Sequence, residues 1–330
     1  FWKRHGIIYI GGRMKDYLEF EKPIGEVEAK IEKLKVKLDK DPSLLHEIMK
    51  LERKAVELKE EVYSALNPWQ RVQIARHPSR PSTQEYISMI FQDFTELHGD
   101  RLFSDDPAII GGICRLGVRR IFLIGTQKGK GVREKVFRNF GMPNPEGYRK
   151  ALRLMKMAER FNMPVVTLID TPGAYPGMGA EERGQAEAIA RNLITMFSLS
   201  VPIIAVIVGE GGSGGALALG VADRVLMLEN AVYSVISPEG CAAILWKDGS
   251  KAAEASEALK MTARDLIGLG IIDAILPEPE GGAHRDPALM AENLKKALED
   301  HLANLDGTPV EDLNRLRHEK YRNMGVFGGG

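Results

Sequence analysis

The sequence predicts an α/β protein with a largely parallel β-sheet, and two observations carry this prediction. From about residue 108 onwards, short runs rich in Val, Ile and Leu alternate with helical segments, as in strand–helix–strand units. No run contains more than one polar or charged residue, which is typical of strands buried on both faces. The expected strands are residues 108–113, 120–124, 163–169, 201–208, 224–228, 232–236 and 271–276.

The first two expected strands form a hairpin, because the turn sequence Leu116-Gly117-Val118 separates them. Helical segments follow the later strands, and the first of them starts with Pro145, a residue that suits a first helical turn. The expected helices are residues 145–160, 181–197 and 213–221, a helix that begins at Pro238, and two closing helices at 286–302 and 310–322.

A helical hairpin is predicted over residues 23–66. The sequence Asp41-Pro42-Ser43 interrupts two runs in which apolar residues recur three or four positions apart. The resulting apolar stripe either closes on itself or docks on a partner, and the sequence leaves both open. The stripe consists of Val27, Ile31, Leu34 and Leu38 in the first run and Ile48, Leu51, Ala55, Leu58 and Val62 in the second.

The domain organisation follows from these segments. Residues 1–22 are expected to be a leader or a disordered start, and Met14, the first methionine, is the expected native start. Residues 23–66 form the hairpin, and 67–307 form the main domain, entered through a proline- and arginine-rich connector at 67–81. Residues 308–330 form a C-terminal helix and tail, whose last residues are expected to fray.

Composition excludes several classes of protein. Lys and Arg together number 45, as do Asp and Glu, so the formal net charge is zero. This argues against a dedicated nucleic-acid-binding protein or a polybasic membrane anchor.

Cysteine usage and hydropathy exclude further classes. Cys114 and Cys241 make neither a disulfide framework nor a zinc site. No apolar run approaches the roughly 20 residues of a membrane span. We therefore expect a cytoplasmic protein with no metal.

Two glycine-rich loops are the strongest candidates for a functional site. The first glycine loop, residues 173–179, follows the expected strand 163–169, and the second glycine loop, residues 209–216, follows the next strand and opens a helix. Ligands in parallel sheets bind at the carboxyl ends of strands. A glycine-rich helix start also directs backbone N–H groups at an anion. We therefore expect the two loops to face one crevice.

The second glycine loop also matches the dinucleotide-binding pattern G-x-G-x-x-G. Gly209, Gly211 and Gly214 fit the three glycines, and Glu229 stands where a ribose-binding acid is expected. Against this interpretation, two strand–helix units precede the loop, whereas the pattern usually opens the first unit of its domain. A dinucleotide-binding oxidoreductase that uses Gly209 to Gly214 remains the alternative function.

The same loop matches the nucleophile pattern G-x-S-x-G through Gly211, Ser213 and Gly215, with Asp273 and His284 following in hydrolase order. The match is weak because most residues of the loop are glycine. We favour Ser213 as a helix N-cap.

Other motifs carry less information. Residues 170–173 resemble a GTPase switch motif, but no phosphate-binding loop precedes them. The basic segment 128–138 is interpreted as a solvated helix face, with a phosphate-bearing ligand such as coenzyme A as the alternative. No carboxylate pair stands out as an acid–base couple, so the chemistry is expected to depend on backbone amides and a cofactor.

Four segments, in order, closely resemble the carboxyltransferase α subunits of bacterial-type acetyl-CoA carboxylases. The resemblance extends from about residue 20 to residue 301. The segments are residues 141–155, 169–177, 209–216 and 233–241.

This resemblance implies a crotonase-type fold of ββα units. It implies transfer of a carboxyl group from carboxybiotin, carried by the biotin carboxyl carrier protein, to acetyl-CoA, which gives malonyl-CoA in the first committed step of fatty acid biosynthesis. It further implies an α2β2 heterotetramer with a β subunit that carries a zinc ribbon, and a biotin carboxylase that alone uses ATP. A non-catalytic scaffold built around the helical hairpin is a further alternative.

The resemblance also assigns site residues. The backbone amides of Gly214 and Gly215 correspond to the hole that holds the ureido oxygen of biotin. Because the biotin nitrogen can itself accept the acetyl proton, no protein base is required. The remaining expected binding residues are Gly211, Gly212 and Ala216 in the second glycine loop and Gly173, Ala174, Tyr175, Pro176 and Gly177 in the first.

Overall fold

The α/β prediction is confirmed by a computed structural model that describes residues 6–10, 13–39 and 41–325. Eight strands of the described chain form one sheet. They are β3 (Gln92–Glu96), β4 (Ile109–Leu116), β5 (Arg119–Thr126), β6 (Val165–Thr171), β7 (Ile203–Gly212), β8 (Arg224–Leu228), β9 (Val232–Ser234) and β10 (Ala274–Leu276). Their order is β10-β8-β7-β6-β5-β4-β3, with β9 paired to β7, and neighbouring strands run parallel from β5 to β8 and on to β10.

Helices cover the sheet and bury its central strands. Every residue of β6 is buried, as are all but the last residue of β7, so their continuous apolar sequences suit burial on both faces. The helices of this domain are α3 (Pro68–Ala75), α4 (Thr83–Ile90), α5 (Gly131–Phe137), α6 (Pro145–Arg160), α7 (Met178–Glu182), α8 (Gln185–Ser198), α9 (Ser213–Leu217), α10 (Pro238–Trp246), α11 (Ala252–Ala258), α12 (Ala263–Gly268), α13 (Pro287–Leu305) and α14 (Val310–Arg322).

Several elements differ from the sequence predictions. The expected helix 181–197 is divided between α7 and α8, because Gly184 has a left-handed backbone with φ of 81°. The expected helix 213–221 ends at Leu217, and the expected strands 232–236 and 271–276 are shorter. The connector 67–81 contains α3, which Asn67 and Gln70 cap reciprocally through their side chains.

The helical hairpin closes on itself. Its helices are α1 (Lys22–Lys35) and α2 (Leu45–Ser64), and they bury Ile31, Ile48 and Ala55 between them. The predicted stripe is therefore the packing face of the hairpin itself, as expected for a two-helix unit with one apolar side.

The segment before the hairpin differs in part from the expected disordered start. Strand β1 (Gly6–Ile10) pairs antiparallel with β2 (Arg13–Tyr17). The side chain of Tyr17 is buried with Ile24, and this packing gives the chain an ordered path into α1. Residues 1–5 and 326–330, which include the predicted frayed tail at 327–330, lie outside the described residues, and the predicted native start at Met14 stays a prediction.

One buried carboxylate anchors the hairpin to the main domain. Glu21 is fully buried and accepts hydrogen bonds from the Leu18 N–H at 2.8 Å, the Tyr63 hydroxyl at 2.7 Å and the Arg285 guanidinium at 2.9 Å. Arg285 lies just before α13, so this group joins residues that are 264 positions apart in the sequence. A buried carboxylate with such partners is strongly destabilising to remove, because its cation is left unpaired.

We expect Glu21→Ala to lower the free energy of unfolding by about 3–5 kcal/mol, the usual range for breaking a buried ion pair. The matched control is Glu19→Ala, which removes an exposed carboxylate paired with Lys22 and should cost less than about 1 kcal/mol. Urea denaturation of both variants measures the difference. Equal losses of stability would show that Glu21 does not anchor the hairpin.

Candidate active site

The two glycine loops meet at the carboxyl ends of β6 and β7, as predicted. Thr171 lies opposite Gly211 in the parallel register. An ideal Cβ atom on Gly212 would lie 2.1 Å from the carbonyl oxygen of Pro172, and one on Gly215 would lie 2.4 Å from the amide nitrogen of Ala174. Such distances exclude any side chain. These glycines are therefore required because one backbone packs directly on the other.

The second glycine loop presents amide groups at the start of α9. Gly214 and Gly215 are the second and third residues of this short helix, so their N–H groups have no acceptor within the helix. A Cβ atom added to Gly214 would make only ordinary van der Waals contact, at 3.7 Å from the side chain of Ile189, and Gly214 lines a cavity beside the loop. Gly214 thus borders the crevice, whereas Gly215 faces the first glycine loop.

Internal hydrogen bonds fix the first glycine loop. The Gly173 N–H donates to the Thr171 hydroxyl oxygen at 3.1 Å, and the Tyr175 N–H donates to the Pro143 carbonyl at 3.0 Å. The Gln185 side chain donates to the carbonyls of Tyr175 and Pro143, each at 2.9 Å. The N–H groups of Gly173 and Tyr175 are thus committed to shaping the loop. Ala174 supports Gly215, and Pro176 and Gly177 lead into α7.

Ser213 does not have the predicted role of an N-cap. Gly212 is the N-cap of α9, and no side chain caps the helix. Ser213 is exposed and has a left-handed backbone with φ of 52°. Such a conformation is uncommon for a residue other than glycine. It turns the chain from β7 into α9 in place of a glycine.

The serine hydrolase constellation does not form. Asp273 accepts hydrogen bonds from the Val225 N–H and the Lys320 ammonium. His284 is stacked on His77 with ring centroids 3.8 Å apart, and burial lowers its pKa to about 2. Both groups are therefore held by partners other than Ser213.

The dinucleotide-binding alternative is also not supported by the topology. Doubly wound sheets bind dinucleotides where the strand order reverses, whereas from β3 to β8 this sheet runs in a single direction. Glu229, the candidate ribose-binding acid, lies 3.7 Å from the Arg264 guanidinium.

Sequence reasoning missed a network of charged side chains behind the glycine loops. The Lys128 ammonium lies 2.5 Å from Glu210 and 2.7 Å from Asp170. The Arg76 guanidinium contacts Glu210 and Glu239, each at 2.5 Å. Burial alone would raise the pKa of Glu210, but the charges of Lys128 and Arg76 lower it to about 2. Glu210 is therefore ionised throughout the neutral range.

The helix of segment 128–138, α5, has no buried residue, which agrees with the interpretation as a solvated helix face. Lys128, which precedes α5, is the exception. Its side chain is only 21% exposed, and the charges of Asp170 and Glu210 outweigh burial and raise its pKa. The sequence did contain a signal for this charged network, namely the positions of its residues relative to the strands. Lys128 follows β5, while Asp170 and Glu210 lie near the carboxyl ends of β6 and β7.

An apolar cavity of about 400 Å³ opens beside Ser213 and Gly214. Apolar walls of this kind lower the local dielectric and strengthen interactions with nearby amide dipoles. Its lining includes Leu217, Tyr233, Val235, Leu259, Leu266 and Ile271.

The described residues contain neither a candidate metal-binding cluster nor a candidate membrane-spanning helix. The His, Cys, Asp and Glu side chains in that part of the chain include no group of three or more that could hold a metal ion. Among the helices of the same residues, none is long and apolar enough to cross a bilayer.

Comparison with known families decides the assignment. The model of a family described as acetyl co-enzyme A carboxylase carboxyltransferase-like matches residues 17–325. The chain belongs to this family. The predicted resemblance is thereby confirmed, and the family is one of carboxyltransferase enzymes.

Relatives of this carboxyltransferase-like chain match it over most of its length. An acetyl-coenzyme A carboxylase carboxyl transferase subunit alpha from Geobacter metallireducens is 60% identical over 310 residues, which cover 94% of this chain and 98% of the relative. The protein of that name from Methylococcus capsulatus is 58% identical, with coverages of 94% and 97%.

Solved structures confirm the predicted crotonase-type fold of this carboxyltransferase-like chain. A transcarboxylase 12S structure matches with a TM-score of 0.53 at 21% identity, covering 67% of this chain and 42% of that one. A Pseudomonas malonate decarboxylase hetero-tetramer in complex with coenzyme A matches with a TM-score of 0.51 at 18% identity, covering 66% and 89%.

The loop contact predicts different effects of a methyl group at two adjacent glycines. Gly215→Ala should destabilise the protein by about 1–3 kcal/mol, the usual cost of overpacking, because the methyl group meets the Ala174 backbone. Gly214→Ala should leave stability within about 1 kcal/mol of the parent, because helix interiors favour Ala over Gly by roughly that amount. Chemical denaturation compares them, and equal stability of the two variants would contradict the loop contact.

Proposed function

We propose that this chain is the α subunit of an acetyl-CoA carboxylase carboxyltransferase. In this function it helps to move a carboxyl group from carboxybiotin on a carrier protein to acetyl-CoA, and the product is malonyl-CoA for fatty acid biosynthesis. Family membership and the relatives' names support this proposal.

The observation that carries the proposal is the amide cradle at the start of α9. The N–H groups of Gly214 and Gly215 have no acceptor inside their helix, and Gly214 lines the neighbouring cavity. Fixed amide dipoles of this kind stabilise negative charge that develops on an oxygen atom during reaction. Catalysis by such a cradle requires neither a side-chain nucleophile nor a metal ion.

The residues present fit a biotin ureido group. Gly214 lines the apolar cavity of about 400 Å³, and it has no side chain that would keep a planar ring away from its backbone. Carboxybiotin, when bound, supplies the carboxyl group and an oxygen that gains negative charge as that group leaves. The second glycine loop orients this oxygen, and the apolar cavity beside Gly214 keeps the cradle in a medium of low dielectric.

The first glycine loop supports the cradle rather than donating to a ligand through Gly173 or Tyr175. Their N–H groups already have intramolecular acceptors. Ala174 packs beneath Gly215 and limits how far the second loop can shift. We therefore narrow the proposed direct contacts to Gly214, Gly215 and the neighbouring backbone of Gly212, with the other predicted residues shaping the crevice.

The proposed function requires further chains. One amide cradle serves the biotin side, so a second cradle for acetyl-CoA belongs to a β subunit, with α2β2 as the proposed assembly. A biotin carboxyl carrier protein delivers the carboxyl group, and a biotin carboxylase loads it at the expense of ATP. The proposed location of this complex is the cytoplasm.

Reconstitution tests the function directly. This chain, mixed with a β subunit of a close relative and carboxylated carrier protein, should form malonyl-CoA from acetyl-CoA, and each subunit alone should not. Radiolabelled bicarbonate incorporated into malonyl-CoA measures the transfer. Rapid transfer by this chain alone would refute the assignment of the acetyl-CoA side to a β subunit. No transfer by the complete mixture would refute the proposed function.

Ser213→Ala distinguishes a carboxyltransferase from a hydrolase. We expect kcat within a few-fold of the parent, because the Ser213 hydroxyl neither caps α9 nor meets a general base. The matched control is Ser237→Ala, which removes the N-cap of α10 and should cost about 1 kcal/mol of stability. Complete loss of turnover in folded Ser213→Ala protein would instead indicate a nucleophile.

A further inference from the structure

A single lysine bridges the two strands that carry the glycine loops. The Lys128 ammonium lies 2.7 Å from Asp170 Oδ1 at the end of β6 and 2.5 Å from Glu210 Oε2 near the end of β7. Lys128 itself follows β5. The carboxyl ends of three neighbouring strands are thus joined through one side chain.

Backbone contacts reinforce this bridge. Asp170 Oδ1 also accepts the Glu210 N–H at 2.8 Å, and the Asp170 N–H donates to the Thr126 hydroxyl oxygen of β5 at 2.6 Å. A Cβ atom on Gly209 would lie 2.3 Å from Asp170 Oδ1, so glycine is required there for the carboxylate to reach the second loop. Asp170 lies just before the first glycine loop, and Glu210 is part of the second.

The network concentrates charge where little water reaches it. The side chains of Asp170 and Glu210 are 12% and 11% exposed. Without Lys128, two nearly buried carboxylates would face each other, with Arg76 left to balance only Glu210 and Glu239. Removing the cation from a buried ion pair leaves an uncompensated charge and costs far more than the pair gains.

We propose that Lys128 is a positioning residue for carboxyl transfer. Its ammonium group holds the first and second glycine loops at the separation at which the Gly214 and Gly215 amides form the cradle. Lys128 does not touch the reacting atoms and acts through the Asp170 and Glu210 carboxylates. This role rests on the proposed function, but its structural part can be tested independently.

The main test compares Lys128→Met with Lys320→Met. Lys320 is a close match because its side chain is 16% exposed, and its partners are Asp273 and the Ala222 carbonyl rather than either glycine loop. Hydrogen exchange is measured on peptides that cover residues 173–179 and 209–216. We expect exchange in both loops to rise about tenfold or more in Lys128→Met and to stay at the parent level in Lys320→Met. Unchanged exchange in Lys128→Met would overturn the proposal.

Kinetics of the reconstituted complex distinguish a loss of loop positioning in Lys128→Met from a general loss of native structure. Small displacements of a catalytic group cost roughly 10² in rate, so kcat of Lys128→Met should fall about 100-fold while KM for acetyl-CoA stays within twofold. Lys128→Arg, which keeps a cation able to bridge two carboxylates, should recover kcat to within about tenfold of the parent. A rise in KM with unchanged kcat, or no recovery by arginine, would contradict a positioning role.

A double variant separates bridging from charge balance. Lys128→Met/Asp170→Asn removes one cation and one carboxylate, so Glu210 keeps Arg76 and no carboxylate loses its only partner. We expect stability near that of the parent but kcat still reduced at least tenfold. Full recovery of kcat would show that Lys128 only neutralises charge, which would overturn the proposal.

Carboxyl transfer and hydrogen exchange together distinguish a failure of the proposed function from a failure of the positioning role of Lys128. If the parent complex transfers no carboxyl group, the proposed function fails, and hydrogen exchange still decides whether Lys128 orders the loops. If the parent complex is active and Lys128→Met retains parental kcat and exchange, the positioning role fails and the function stands.

Discussion

The direct packing of one glycine-rich backbone on another is the constraint on which this site depends. Gly212 and Gly215 lie so close to the first glycine loop that a methyl group on either would overlap its main chain. This contact requires β6 and β7 to be parallel neighbours in a fixed register, which their burial on both faces provides. The amides of α9 are therefore positioned by the core of the protein rather than by a mobile surface loop.

In the proposed function, the buried ion pairs shape the site and the backbone amides stabilise the charge of the substrate. Lys128, Arg76 and their carboxylate partners lie behind the glycine loops, where their ion pairs satisfy one another. In this proposed function, the groups that act on the substrate are backbone N–H groups, which carry fixed partial charges and do not titrate. Such a division suits a reaction in which negative charge moves between oxygen atoms of the substrates, since preorganised dipoles need no reorganisation during the reaction.

Sequence patterns predicted the parts of this structure that depend on local composition. Continuous apolar runs located β6 and β7, and glycine-rich segments after them located the crevice. The contact between Arg76 and Glu210 joins residues 134 positions apart, and no local pattern encodes such a pairing. Nor does a local pattern show that the backbone of Ala174 occupies the space beside Gly215, which only the fold reveals. Ser213 was expected to cap α9, but its left-handed backbone depends on the sharp exit from β7.

The most direct test of this account is a structure of this chain in complex with the proposed β subunit and biotinylated lysine. We predict that the ureido oxygen lies about 2.7–3.1 Å from an amide nitrogen of Gly214 or Gly215, the separation expected for oxyanion-hole donors. We also predict that the two glycine loops keep the backbone contact at Gly212 and Gly215. A ureido oxygen bound instead to the first glycine loop or to a side chain, with the α9 amides directed elsewhere, would contradict the account.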